Sequence, residues 1–339
     1  MRSLEVHRSF RPPRFLRNPH LQSILATVGA RRSRGDGDDP ADTQISRNVV
    51  VRCDERTRVV AIHTAASDPD ASKGVVILLH GWEGSASSPY LVRMAGSLHR
   101  AGFETFRVNL PDHGGTHELN PDIFHSCRLD EMVFAVKEIL RLSRGGPAYL
   151  VGFSLGGNFC LRIALVAQAH DIALEHVVAV CPVIDPEHCL RAIERAPFFY
   201  RQRFLKRWTQ SLRAKERAFP DRYRLDPLGP PDLRQRTDLL LKRFTDFAGI
   251  DEYHDAFSVA RQRLAGLSVP TTVVAAADDP LCPVGDLHEI EAPDCLEIEV
   301  QRWGGHCGFI ENPAGRSWLE RRIVRLLDRP RATAAREAG

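Results

Sequence analysis

Apolar runs rich in Val, Ile and Leu recur along the chain, and the segments between them repeat their apolar residues every three or four positions. VVVRC (49–53) and RVVAIHT (58–64), parted by four polar residues, predict an antiparallel hairpin. VVILLH (75–80), ETFRVNL (104–110), AYLVGF (148–153), HVVAVCPVI (176–184), TTVVAAAD (271–278) and LEIEVQRW (296–303) predict six further strands. Several of these are apolar at nearly every position, as expected of parallel strands covered on both faces. LVRMAGSLHRAG (91–102), RLDEMVFAVKEILRL (128–142), the stretch after Ser154 and SWLERRIVRLLD (317–328) predict helices, the first ending on a C-cap-like glycine. The pattern implies an eight-stranded, mostly parallel sheet flanked by helices.

One stretch interrupts the alternation. Residues 185–270 contain no strand-like run, and within them APFFYRQRFLKRWTQSLRAKERAF carries Phe204, Trp208 and Leu212 at spacing four, with Leu205 beside them. A connection that long implies an inserted helical cap between the sixth and seventh predicted strands. The expected organisation is an N-terminal extension over 1–46, a core over 47–184 and 266–330, a cap over 185–265 and a disordered tail over 331–339.

Composition narrows the function classes. The 339 residues carry a net charge of +3, so no global field argues for nucleic acid. The eight cysteines include no CxxC pair, so neither a zinc framework nor a redox motif is indicated. The N-terminus has charges and prolines where a signal peptide has its apolar core, and no apolar run approaches transmembrane length. A cytoplasmic protein is expected.

The segment YLVGFSLGGNFC (149–160) carries the chemistry. Its glycines, 152, 156 and 157, fit neither GxGxxG nor GxxxxGK[ST]. Gly152-Phe-Ser-Leu-Gly156 is instead GxSxG after a strand and before a helix, the turn that projects a serine nucleophile. Glycines two residues to either side relieve crowding at that bend. Ser154 then needs a base and an orienting acid, in the chain order Ser, acid, His. His306, in the Gly304–Phe309 loop after the last predicted strand, suits the base. Asp278 and Asp279 follow the seventh, and Asp279, beyond the strand end and before a proline, is the better acid, with Asp278 the alternative. The backbone N–H groups of Leu155 and Trp82 are candidate oxyanion donors, and His80 is expected to brace its loop.

Together, HGW (80–82), GFSLGGN (152–158), DDP (278–280) and GGHCGF (304–309) resemble the α/β-hydrolase superfamily, and FLRNPHLQSIL (15–25) with NLPDHGGTHELN (109–120) resembles its YheT-like group. The resemblance implies the α/β-hydrolase fold, a triad of Ser154, Asp279 and His306, and carboxylic ester hydrolysis. Acyl transfer to an alcohol or thiol is the alternative chemistry, and a non-catalytic binding protein on the same fold the alternative class. No metal or organic cofactor is implied. The expected substrate is a small acyl ester, lipid-like in one reading.

Three features have plainer readings. His125 and Asp130 match a loose HxxxxD acyltransferase pattern, but Asp130 heads a predicted helix, where the dipole favours an acid. His113, His117 and His125 lack a compact ligand spacing. Residues 191–236 hold thirteen basic against five acidic residues, interleaved with Phe198, Phe199, Tyr200, Phe204 and Trp208. That segment either touches an anionic lipid surface peripherally or packs its aromatics on the core, and the second is the simpler.

Overall fold

The β-branched runs form strands at the predicted places in a computed structural model, which describes residues 4–27, 46–225, 232–291 and 293–328. In chain order they are β1 (Val6–His7), β2 (Ser46–Arg52), β3 (Arg58–Thr64), β4 (Val75–Leu79), β5 (Glu104–Val108), β6 (Ala148–Phe153), β7 (His176–Val180), β8 (Thr271–Ala276) and β9 (Leu296–Gln301). They make one nine-stranded sheet, ordered β1-β9-β8-β7-β6-β4-β5-β3-β2. Pairing is parallel except where β3 meets β2 and β5. The ninth strand is the correction to the expected eight: Val6 and His7 pair with Val300 and Gln301, a run too short to show alternation.

The helices of the core are α1 (Pro19–Thr27), α2 (Pro89–Arg100), α3 (Leu129–Leu142) and α4 (Leu155–Val166). α2 ends as its glycine predicted. Gly102 takes φ +94°, and the N–H groups of Gly102 and Phe103 reach back to the carbonyls of His99 and Leu98. Successive residues of β4 face opposite sides of the sheet. Val75, Ile77 and Leu79 pack with Met132, Val136, Phe159 and Leu161 from α3 and α4. Val76 and Leu78 pack with Leu91, Met94 and Leu98 from α2 and with Ile323 from the C-terminal helix. Each such fully buried aliphatic side chain contributes about 1.5–3 kcal/mol, which is why an unbroken apolar strand is stable only with helices on both faces.

Between β7 and β8 lie α5 (Pro186–Arg195), α6 (Phe198–Ala218), α7 (Leu233–Phe244) and α8 (Ile250–Phe257). α6 is the predicted aromatic helix. The short α9 (Gly285–His288) precedes β9, and α10 (Trp318–Leu327) closes the fold, opened by a capping box of Ser317 and Glu320. Among the described residues no helix is long and apolar enough to cross a membrane. The expected tail at 331–339 lies outside the described residues.

Candidate active site

Strand β6 delivers Ser154 to the sheet's C-terminal edge. Its N–H donates to the Val180 carbonyl of β7 at 2.9 Å, and its own carbonyl accepts from Asn158 at 3.0 Å as α4 begins. Between strand and helix the backbone is wrenched to φ +56°, ψ −118°. That conformation strains a non-glycine residue and persists only where the surroundings hold it. Two glycines make the bend possible: a Cβ on Gly152 would lie 2.2 Å from the Gly156 carbonyl oxygen, and one on Gly156 2.4 Å from that of Leu79.

The predicted partners come from the ends of β8 and β9. His306 Nδ1 lies 2.9 Å from Asp279 Oδ2, with Asp279 side-chain exposure only 2%. A carboxylate only accepts, so Nδ1 carries the proton and Nε2 is the basic nitrogen. The second Asp279 oxygen accepts from the N–H groups of Leu281 and Cys282 at 2.8 and 3.0 Å, so the acid is oriented before any substrate arrives. Asp278 turns elsewhere. Its Oδ1 accepts from the Gly305 N–H at 2.9 Å, while burial, then the neighbouring Asp279 charge, pushes its carboxyl up to about 6. Burial works against charging His306, but the Asp279 carboxylate, joined by the adjacent Cys307 sulfur, outweighs it and holds the imidazole pKa well above the usual histidine value.

Ser154, His306, Leu155 and Trp82 all line one cavity of about 920 Å³ between the sheet edge and α5–α8. Among the described residues, neither the Leu155 nor the Trp82 N–H has a protein acceptor. The Trp82 loop is braced as expected of His80, which donates from Nδ1 to the Gly81 carbonyl (2.8 Å) and accepts at Nε2 from the Leu110 N–H (3.1 Å). Burial lowers its pKa to about 3, so it stays neutral. The Trp82 ring stacks on Phe204 of α6 at 5.2 Å and meets Trp208 edge-on at 5.6 Å. Phe204 and Trp208 of α6 thus pack against the Trp82 loop, Phe198 is 65% exposed, and Arg203, Lys206 and Arg207 join the cavity lining.

The other histidines singled out in the sequence make local contacts. His113 donates to the Pro111 carbonyl and accepts from the Glu83 N–H, His117 bonds Ser211, and His125 meets the rings of Phe247 and Tyr253 edge-on. Asp130 sits in the first turn of α3. Groups with metal-ligand chemistry gather only around His306 among the described residues: Cys181 with Cys307, and Asp279 with Cys282, each set within 4.8 Å.

Several neighbours were not anticipated from sequence. Glu83 follows Trp82 at φ +55° and lines the cavity; burial, opposed by Arg207, pushes its carboxyl up to about 7. Lys215 of α6 is buried and donates to Asp112 Oδ1 and to the carbonyls of Asn120 and Asp122 at 2.7, 2.6 and 2.9 Å. Ser23, Ile24, Ala26 and Thr27 put one face of α1 on the cavity wall.

Comparison with known proteins agrees with this fold. Residues 74–313 match the family model described as alpha/beta hydrolase fold. The chain is 26% identical over 258 residues to "Putative esterase YheT" of Escherichia coli, covering 73% of this chain and 74% of that protein. It is 23% identical over 271 residues to a monoacylglycerol lipase of Saccharomyces cerevisiae, covering 76% of this chain and 60% of that one. A Pyrococcus furiosus esterase structure superposes with TM-score 0.54 at 13% identity, over 85% of this chain and 94% of that one.

Proposed function

The chain belongs to the α/β-hydrolase family, and from that premise we propose that it cleaves carboxylic acyl esters through Ser154, His306 and Asp279. The observation that carries the reading is Ser154, strained at the strand–helix bend, opening onto the same cavity as an imidazole tied to a buried carboxylate.

In this reading Ser154 Oγ attacks the ester carbonyl while His306 Nε2 takes its proton. Asp279 holds the imidazole in the required tautomer and stabilises the imidazolium. The Leu155 and Trp82 N–H groups, which have no protein acceptor among the described residues, donate to the oxyanion, and each such donor contributes about 10²–10³ in rate. His306 then protonates the departing alcohol, and water cleaves the acyl-enzyme by the same route. Leu190, Ile193, Phe204, Leu240, Leu241 and Phe257 line the cavity, a surface suited to an acyl chain rather than to acetate alone. Relatives whose names are esterase and monoacylglycerol lipase support this substrate class.

The test is hydrolysis of p-nitrophenyl esters from acetate to palmitate. The reading expects turnover that improves from acetate toward longer chains and falls at least ~10³-fold in Ser154→Ala. Turnover unaffected by that substitution refutes the serine mechanism, and strict preference for acetate refutes the acyl-chain role of the cavity.

A further inference from the structure

The NPHLQ segment (18–22) takes no part in the reaction proposed above, yet its Gln22 bonds Ile310, 288 positions downstream. It forms the start of α1, and α1 lies directly against the loop that carries His306. Ser23 Oγ donates to the Pro19 carbonyl at 2.7 Å, which leaves its lone pairs toward the His306 N–H, from which it accepts at 2.8 Å. Gln22, fully buried, accepts from the Ile310 N–H at Oε1 (2.6 Å) and donates from Nε2 to the carbonyls of Ile310 (3.1 Å) and Leu16 (2.7 Å). With the Asp278 bond to Gly305, the loop is held at 305, 306 and 310.

The loop glycines fit this contact. A Cβ on Gly305, which sits at φ +53°, would lie 2.3 Å from the Pro19 carbonyl oxygen, and one on Gly308 2.6 Å from that of Gln22. Helix and loop therefore meet backbone to backbone. On its other side α1 meets the cap, where His20 Nδ1 lies 3.3 Å from the Tyr200 hydroxyl and edge-on to Phe199.

We infer that Ser23 and Gln22 are positioning residues for the base: they fix the main chain at His306 so that its imidazole meets Asp279 on one side and Ser154 on the other. The inference rests on the reading of His306 as base. Its physical basis is leverage, because a small main-chain shift at residue 306 moves the whole ring, and misplacement of a reacting group by about 1 Å costs on the order of 10²-fold.

Ser23→Ala removes the acceptor and keeps the helix. Gly308→Ala wedges the two backbones apart from the other side. Asn18→Ala is the control: its Oδ1 accepts from the N–H groups of His20 and Leu21 at the start of α1, and among the described residues its side chain makes no hydrogen bond to the loop. The readouts are fluorophosphonate labelling rate, kcat and KM on a p-nitrophenyl ester, and the His306 imidazole titration followed by NMR, with melting temperature as a check on folding. Ser23→Ala and Gly308→Ala are expected to lower labelling rate and kcat roughly tenfold with KM within about twofold, and to shift the His306 midpoint to lower pH as Asp279 loses its hold. Asn18→Ala is expected to lower the melting temperature without either change. Ser23→Ala with wild-type labelling and titration overturns the inference, as does Asn18→Ala reproducing its pattern. Absence of labelling in the wild type would remove the esterase reading alone, since the titration still reports whether Ser23 governs the His306–Asp279 contact.

Discussion

Lys215→Met should detach the cap helix from the core without touching the reacting groups. The Lys215 and Asp112 side chains are 1% and 4% exposed and 2.7 Å apart. All three ammonium hydrogens are used, on Asp112, Asn120 and Asp122. Removing the cation leaves the Asp112 carboxylate, among the described residues, with only the Phe124 N–H at 2.8 Å, in a site where burial already raises its pKa despite the lysine. Loss of one partner from a buried pair costs about 3–5 kcal/mol, and two abandoned carbonyls push the figure to the upper end. Urea unfolding followed by tryptophan fluorescence should show that loss. Lys215→Met/Asp112→Asn should recover more than half of it, because asparagine keeps the Phe124 acceptor and tolerates the φ of +62° at 112. A single-variant loss below about 1 kcal/mol, or a double variant no more stable than the single, would refute the claim that an uncompensated buried charge is the cause.

Glu83→Gln should stabilise the protein at alkaline pH. The native carboxyl is raised from 4.5 to about 7, so the folded state binds the extra proton and stability falls as pH rises between those values. The gap corresponds to at most roughly 3 kcal/mol; pH-dependent urea unfolding should show a decline in the wild type that the glutamine variant lacks. Asp279→Asn should lower kcat on a p-nitrophenyl ester by ~10³–10⁴-fold and move the acid limb of kcat/KM to lower pH, because the carboxylate is the largest influence raising His306. Asp278→Asn keeps an acceptor for the Gly305 N–H and should cost less than about tenfold; comparable losses in the two variants would overturn the assignment of Asp279 as the acid.

What could be read from the residues, and what could not, divides along contact range. The strands announced themselves because both faces are covered, which leaves VVILL and AYLVGF with no polar position. GxSxG was legible because the bend's steric demand is local: Gly152 and Gly156 are excluded from carrying a Cβ by atoms of this same turn and of the adjoining strand. The choice between Asp278 and Asp279 was argued from loop position, and the hydrogen bond to His306 lies with Asp279. The helices α5, α7 and α8 were not individually visible, since sequences such as LRQRTDLLLKRF are mostly polar and bury only part of one face. The seating of α1 on the His306 loop was invisible for a different reason. Ser23 and His306 are 283 positions apart, and neither carries a local sign of the other. The elevated carboxyl of Glu83 likewise reflects burial in the folded protein, with Arg207 of α6 opposing it.

In the proposed reaction Ser154 is the nucleophile and His306 its base. The most direct test is labelling of the full chain with a fluorophosphonate, followed by mass spectrometry of the modified peptide. The prediction is stoichiometric modification on Ser154 in the wild type, none in Ser154→Ala, and a labelling rate in His306→Ala reduced by at least ~10³-fold. Modification elsewhere in the chain, or labelling indifferent to His306, would contradict it.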